Sequence, residues 1–344
     1  MMVYFLLFFV ICFLLTGAAR RYALWRHALT IPEFRHHHLD PVPRGGGIAL
    51  SITTIALNLV MYRYHLIDIG VARSLCFSGL FLLIVSLVHD VRPLNRRLRL
   101  ALQFVAAALA LVWYNRDLII IFFDGYLYLN HWWLSALVFW LVWLINVNNA
   151  MNDVDGLVAS QAFIMVFASA CLLAITGETQ WSVPLILVCA PILGFLAWNW
   201  PPARITMGDG GSSFLGLFIA VLGLFLAADT DLNLWVWLIL MAPFVVDSGC
   251  TLVSRWFAGE SLAPSSHKSH LYQILASRWD SHFYVTLLVW VIDWVWLFPF
   301  AYLSMNNERW GLVWFVVAYL PLIVLVWRTR SKLCPPTGMS EIKD

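Results

Sequence analysis

Residues 199–229 read NWPPARITMGDGGSSFLGLFIAVLGLFLAAD. From Ser212 onward the stretch is apolar until its last residue, Asp229. A helix that crosses a bilayer needs about 20 mostly apolar residues. The stretch therefore reads as a membrane span, and the Gly-Asp-Gly-Gly before it places a carboxylate at the membrane edge. Composition extends that reading to the whole chain. Of 344 residues, 62% are hydrophobic and 12% charged, against about 45–50% and about 25% in a soluble domain. No single core could bury that surplus, which excludes a soluble globular enzyme and a disordered protein. With 21 basic and 19 acidic residues there is no basic footprint for nucleic acid.

Working outward, eleven runs qualify as spans: 2–19, 47–62, 71–88, 98–114, 132–148, 157–176, 181–198, 212–229, 234–254, 283–304 and 311–328. The expected architecture is an all-α polytopic membrane protein with one integral domain over 1–330 and a tail over 331–344. No Lys or Arg precedes the first apolar run, whereas Arg20, Arg21 and Arg26 follow it. It reads as an uncleaved helix rather than a signal peptide. Eleven spans with the N-terminus outside leave Arg63, Arg73, Arg116 and Arg309 on the outer side and the other Lys and Arg inside, as the positive-inside rule requires. In the outer segment DLIIIFFDGYLYL (117–129), Asp124-Gly125 between β-branched and aromatic residues signals a two-residue hairpin. The six cysteines (12, 76, 171, 189, 250 and 334) show no CxxC or zinc spacing and read as packing residues.

Polar residues concentrate in five segments on the inner side. Segment 32–47, PEFRHHHLDPVPRGGG, sets Arg44 before Gly45, Gly46 and Gly47, a backbone that can approach an anion closely. Its His36, His37 and His38 are either a solvated loop or a metal-binding tract. Segment 89–99, HDVRPLNRRLR, places His89 and Asp90 at the end of a span before four arginines; a lipid-holding basic cluster is the plainer alternative. In NVNNAMNDVDG (146–156), Asn149, Asn152 and Asp155 recur every three residues along one helical face. They suit Mg²⁺ or a nucleotide, or else a helix C-cap. Segment 199–211 carries Asn199, Arg204 and Asp209, the last either a cap or a ligand for a hard cation. In HKSHLYQ (267–273), His267 and His270 share a helical face, or belong to a surface loop; nothing completes a zinc set. Carboxylates, glycines, arginines and a histidine pair at one edge together suit a Mg²⁺-dependent phosphoryl transfer.

These segments resemble those of the polyprenyl-phosphate N-acetylhexosamine-1-phosphate transferases, glycosyltransferase family 4, from Pro32 to Gln273. Pro32, Arg35, His38 and Pro41-Val-Pro-Arg-Gly-Gly-Gly47 resemble its first loop. Asn149, Asn152, Asp155 and Gly156 resemble N-x-x-N-x-x-D-G. Asn199, Arg204, Asp209 and Ser212 resemble the family's Asn followed by P-P-A-[KR]-x-x-M-G-D-x-G-S. His267, Lys268, His270, Tyr272 and Gln273 resemble a last motif in the form found in O-antigen-initiating enzymes. Two positions depart. His89 replaces the first of a paired aspartate whose second is Asp90, and Val158-Ala159 replaces a second D-G.

The resemblance implies that a polyprenyl phosphate, undecaprenyl phosphate in bacteria, attacks the sugar-bearing phosphorus of a UDP-N-acetylhexosamine and releases UMP. It implies Asp209, with Asp155, as the Mg²⁺ ligand (Mn²⁺ the substitute), and His89, Asp90 and Asp155 as catalytic residues. It implies Arg44, Gly45, Gly46, Asn149, Asn152, Asn199, Arg204, His267 and His270 as substrate contacts. His89 is expected to orient the acceptor phosphate or take its residual proton. Membrane lipids and a second copy of the chain are the remaining expected partners, and the bacterial inner membrane with a cytoplasmic site is the expected location. A transporter is the competing class, because Asp247 and Asp293 fall inside spans. A catalytically altered scaffold is the other.

Overall fold

The computed structural model describes residues 1–26, 29–30, 42–92, 94–114, 116, 118–123, 125–129, 133–257 and 270–333. Pro32, Arg35, His36, His37, His38, His267 and Lys268 lie outside the described residues, as does the tail from 334. The helices are α1 (Met2–Trp25), α2 (Gly46–Arg63), α3 (Ile69–Val91), α4 (Arg96–Val112), α5 (Trp133–Met151), α6 (Leu157–Thr176), α7 (Thr179–Asn199) and α8 (Gly208–Asp229). There follow α9 (Leu234–Leu240), α10 (Ala242–Phe257), α11 (Leu271–Trp279) and α12 (His282–Val291). A π-helical turn (Ile292–Leu297) joins α12 to α13 (Phe298–Asn306), and α14 spans Gly311–Leu333. The last helix thus runs three residues past the expected domain end at 330.

Starts are set by side-chain caps. Asp68 accepts the Val71 N–H at 2.8 Å, Asn95 the Leu98 N–H at 2.8 Å and Asn233 the Val236 N–H at 3.1 Å. Each satisfies one of the orphan donors at a helix start.

Among the described residues, nine helices are long and apolar enough to cross a membrane. The protein is a multi-pass, all-α membrane protein. The expected count of eleven needs correcting in form. The span expected over 234–254 is the pair α9 and α10, bent by 72°. The span expected over 98–114 is α4, whose 17 residues rise only about 25 Å. It still reaches both edges. Arg99 in its first turn meets Asp209 at the start of α8, and Arg116 beyond its end meets Asp229 at the end of α8. Odd helices α1 to α7 end, and even helices α2 to α8 begin, at the Asp209 edge. Arg20 bonds the Arg204 carbonyl, Ser86 abuts Gly210, Asn149 meets Ser212, and Gly156 meets Asn199.

The core centres on α8. In its most apolar stretch 89% of residues are buried, against 17% in α1; α1 is a lipid-facing helix packed on α7 and α2. Small residues let α2 and α8 touch: a methyl group on either Gly47 or Gly211 would overlap the other's Cα. The π-turn carries Asp293, fully buried, and Gln161 of α6 donates to it at 3.4 Å and to the Leu240 carbonyl at 2.9 Å. A buried Gln161-to-Leu240 bond therefore sits at the bend between α9 and α10.

Two antiparallel pairs complete the fold: β1 (Leu29–Thr30) with β2 (Val42–Pro43), and β3 (Leu118–Phe122) with β4 (Gly125–Leu129). The second is the expected hairpin. Phe122 pairs with Gly125; Asp124 lies outside the described residues. Phe123 takes the positive φ of 51°, held by its N–H on the Arg309 carbonyl (3.0 Å) and its ring edge-on to Trp310.

Candidate active site at the Asp209 edge

The chain enters the site along Val42–Gly47 and 204–211, which lie side by side. Arg44 bridges Thr206, and Thr206 N–H donates to the Pro43 carbonyl at 2.9 Å. The N–H groups of Gly45 and Gly46 donate to the Thr206 carbonyl (3.2 and 3.0 Å), and that of Gly47 to Met207 (2.9 Å). This corrects one expectation. The glycine amides are consumed inside the protein and form no anion cradle. The glycines serve instead to turn the backbone, at φ 108° for Gly45, and to let two helix starts meet.

That meeting places Arg44 over the first turn of α8. Arg44 lies 2.5 Å from Asp209 Oδ1, and Arg99 lies 3.4 Å from Oδ2. All three side chains are about one-third exposed, so the group is open to a soluble ligand. One carboxylate between two guanidiniums leaves a surplus positive charge at the positive end of a helix, which attracts phosphate. Arg204 is exposed nearby.

His89 stands at the end of α3, half-buried, one turn after Ser86, whose Cβ faces Gly210. The Leu94 N–H donates to His89 Nδ1 at 3.0 Å. The neutral ring then carries its proton on Nε2, where it donates. The expected alternative, a ring that takes a proton from the acceptor phosphate, does not suit this tautomer. Asp90 follows on the same helix; its side chain lies outside the described residues.

The Asn/Asp ladder divides. Asn149 Oδ1 accepts from Ser212 (2.6 Å) and Ser213 (3.0 Å), while its buried Nδ2 meets no acceptor among the described residues. That leaves an unspent donor beside α8. Asn152 is half-buried on the turn that follows. Asp155 is 7% exposed and turned inward. Its Oδ2 accepts the Ala203 N–H at 3.1 Å, lies 3.2 Å from His282 Nδ1, and its carbonyl accepts from Thr286. Asn199 likewise spends both ends of its amide, on the Gly156 N–H and the Ile205 carbonyl. Asp155 and Asn199 brace the loops that carry Asp209 rather than face a ligand.

His270 caps α11. Its Nδ1 lies 3.1 Å from Oδ2 of the fully buried Asp247, whose Oδ1 accepts the Leu271 N–H at 2.8 Å. Tyr272 donates to the Pro243 carbonyl (3.2 Å); burial first, then the Asp247 charge, holds its phenol well above the usual tyrosine range. Gln273 reaches the end of α5, at Ala150 O (3.3 Å) and Asp153 Oδ2 (2.8 Å).

Arg99, Asp153 and His282 thus belong to this edge without having been singled out in the sequence, and Gln273 had entered only as part of the last motif. Arg99 was visible as one of a basic run. His282 had no signal, being 127 residues from Asp155.

Among the described residues no three His, Cys, Asp or Glu side chains gather as a metal cage. Among the described residues, Asp209 offers a partly exposed carboxylate between the two arginines and Asp153 an exposed one at the end of α5; so sparse a set fits an ion that takes its other oxygens from substrate phosphates and water, the habit of Mg²⁺.

Fold and site together define a multi-pass membrane protein with a one-sided, phosphate-directed polar edge. The model of the family described as glycosyl transferase family 4 matches residues 72–227. The chain is 25% identical to a probable undecaprenyl-phosphate N-acetylglucosaminyl 1-phosphate transferase of Bacillus subtilis, over 82% of this chain and 79% of that one. It is 26% identical to a decaprenyl-phosphate N-acetylglucosaminephosphotransferase of Mycolicibacterium smegmatis, over 85% and 79%. A phospho-N-acetylmuramoyl-pentapeptide-transferase of Streptococcus pneumoniae is 25% identical over 62% and 67%. Residues 72–227 are thus similar to glycosyl transferase family 4, and the relatives named above are similar over most of the chain.

Proposed function

We propose that this protein transfers an N-acetylhexosamine-1-phosphate from a UDP-sugar to undecaprenyl or another polyprenyl phosphate and releases UMP. The observation that carries the reading is the Arg44–Asp209–Arg99 group at the open start of α8. An oxygen of the lipid phosphate attacks the sugar-bearing phosphorus, and the bond from that phosphorus to the UMP oxygen breaks. Mg²⁺, or Mn²⁺ in its place, supplies charge neutralisation at the phosphate oxygens when bound, with Asp209 as its protein ligand. Arg44 and Arg99 exchange their hold on Asp209 for the diphosphate. His89 Nε2–H and Asn149 Nδ2–H orient phosphate or sugar oxygens. The isoprenoid chain stays in the bilayer, since exposing it costs about 0.8 kcal/mol per methylene.

The inner membrane is the proposed location, with this edge cytoplasmic and the N-terminus outside; the Arg and Lys asymmetry supports it. The step opens an envelope polysaccharide, and the HKSHLYQ form favours an O-antigen. The transporter reading loses ground because the site lies at one edge, whereas transporters bind near the midplane.

Membranes or nanodiscs holding the protein, with undecaprenyl phosphate, Mg²⁺ and a panel of UDP-N-acetylhexosamines, test the reading. UMP and a lipid-linked sugar are expected from at least one donor. No product from any donor overturns it and leaves the scaffold.

A further inference from the structure

The two described histidines of the motif segments are committed in opposite ways. At His89 a backbone N–H donates into Nδ1, so the neutral ring is a donor at Nε2. At His270 the partner of Nδ1 is Asp247 Oδ2, 3.1 Å away. Asp247 is fully buried and its other oxygen accepts the Leu271 N–H. A carboxylate accepts, so His270 Nδ1 donates, and the neutral ring carries on Nε2 a lone pair that meets no donor among the described residues.

Covalent neighbours and short bonds tie this ring to the site edge. One turn after His270, Gln273 bonds Ala150 and Asp153 at the end of α5. Adjacent Asn149 bonds Ser212, three residues from Asp209. The His270 side chain keeps 15% of its surface exposed, while Asp247 keeps none. Among the described residues, the imidazole is the side chain that Asp247 hydrogen-bonds.

We propose that Asp247 is a positioning residue that locks His270 in the Nδ1–H tautomer, so that His270 Nε2, and not His89, is the proton acceptor of this site. The proposal rests on the transferase reading. With a second pKa near 6, about a tenth of a phosphate monoester still carries its proton at pH 7. That O–H proton passes to His270 Nε2. The freed oxygen forms the new bond to the sugar-bearing phosphorus, and the bonding pair to UMP leaves with the UMP oxygen. The imidazolium, stabilised by Asp247, returns its proton to water. His89 meanwhile donates through Nε2. The division of labour follows from what each Nδ1 meets: a backbone donor alone at His89, and at His270 the Asp247 carboxylate at 3.1 Å, with the Gln273 N–H of the capping box beside it.

The test uses the full chain in nanodiscs. Asp247→Asn keeps an oxygen for the Leu271 N–H, but its amide is neutral and can donate to Nδ1. Its kcat is expected to fall about twofold at pH 6, where about half of the acceptor phosphate carries its proton, and to approach the wild-type value above pH 8, where the phosphate is ionised without help, with KM for the UDP-sugar within twofold. Added to His270→Ala, it is expected to cause no further loss. Nitrogen NMR of ¹⁵N-histidine-labelled protein, assigned by the signal lost in His270→Ala, is expected to place the unprotonated nitrogen at Nε2 in the wild type. The same signal is expected to move to Nδ1 in Asp247→Asn. A wild-type kcat in Asp247→Asn at pH 6, an additive loss in the double variant, or a wild-type His270 protonated on Nε2 each overturns the proposal. The NMR reading needs no turnover, so it decides the tautomer even if Asp247→Asn fails to fold. A wild type that releases no UMP overturns the transferase reading instead.

Discussion

The two edges of the bundle use the same chemistry to opposite ends. At one, two arginines share one carboxylate: Arg44 and Arg99 on Asp209. At the other, two carboxylates share one arginine: Asp68 and Asp229 on Arg116. Counting those groups alone, the first carries a surplus positive charge and the second a surplus negative one. The Asp229 hydrogen bond, more than any other contact, raises the Arg116 pKa above its usual value, and the guanidinium also lies over the Phe225 ring at 5.9 Å. That second cluster joins the start of α3, the end of α4 and the end of α8. It is a clasp. The first cluster joins the starts of α4 and α8 to the entry of α2, yet leaves cationic charge unspent and exposed. What separates a site from a clasp here is stoichiometry, not residue type.

Breaking the site's carboxylate should show the largest effect. Asp209→Asn is expected to lower UMP release about 10³-fold while the thermal midpoint holds within a few degrees. A variant with more than a tenth of wild-type turnover would break the comparison. Arg44→Gln comes next, with a fall of about 10²-fold, because it removes the surplus charge itself. Arg44→Lys should recover part of it, since a point charge replaces a two-pronged donor. Steady-state UMP release at saturating Mg²⁺ reads both.

His89 sharpens the site side. His89→Ala is expected to cost about tenfold in turnover, and His89→Gln, which can still donate, distinctly less. Full activity in His89→Ala would remove the residue from the site. The smallest expected effect on activity is at the clasp. Arg116→Gln should leave turnover within threefold, yet lower stability by about 1–2 kcal/mol, read as an earlier thermal midpoint. Loss of turnover in a stable Arg116→Gln protein would show that the two edges are not independent.

Much of the fold was legible because lipid imposes a one-dimensional rule on sequence. Runs such as 212–229 must be long, apolar and helical, and the arrangement of Arg residues follows their ends. The less regular pieces were not legible in the same way. α4 is short, with its arginines drawn into its own first turn. The 72° bend between α9 and α10 falls at Met241, two residues before Pro243 in the first turn of α10, where a proline breaks the ladder of α9 and suits a new helix start. The Leu240 carbonyl is bound there by Gln161 from α6. The hairpin was visible in its strands, but the anchoring of Phe123 by Arg309 and Trp310, 186 and 187 residues further on, was not.

The site was legible as a list of segments and illegible as a set of roles. Asp155 and Asp209 look alike in sequence, each beside glycine. One is enclosed by Ala203, His282 and Thr286, and the other opens to solvent between two arginines. Gly45 and Gly46 promised an amide cradle, but the carbonyl of Thr206 had already taken those amides.

By itself, then, the sequence determined a multi-pass helical protein whose polar residues gather at one membrane edge. Apolar run length and charge placement are local properties that a bilayer reads directly. The tertiary structure alone decided which of those polar groups remain available. Availability depends on what each carboxylate, amide and ring nitrogen meets across the fold, and a group already satisfied inside the protein has little left to give a ligand.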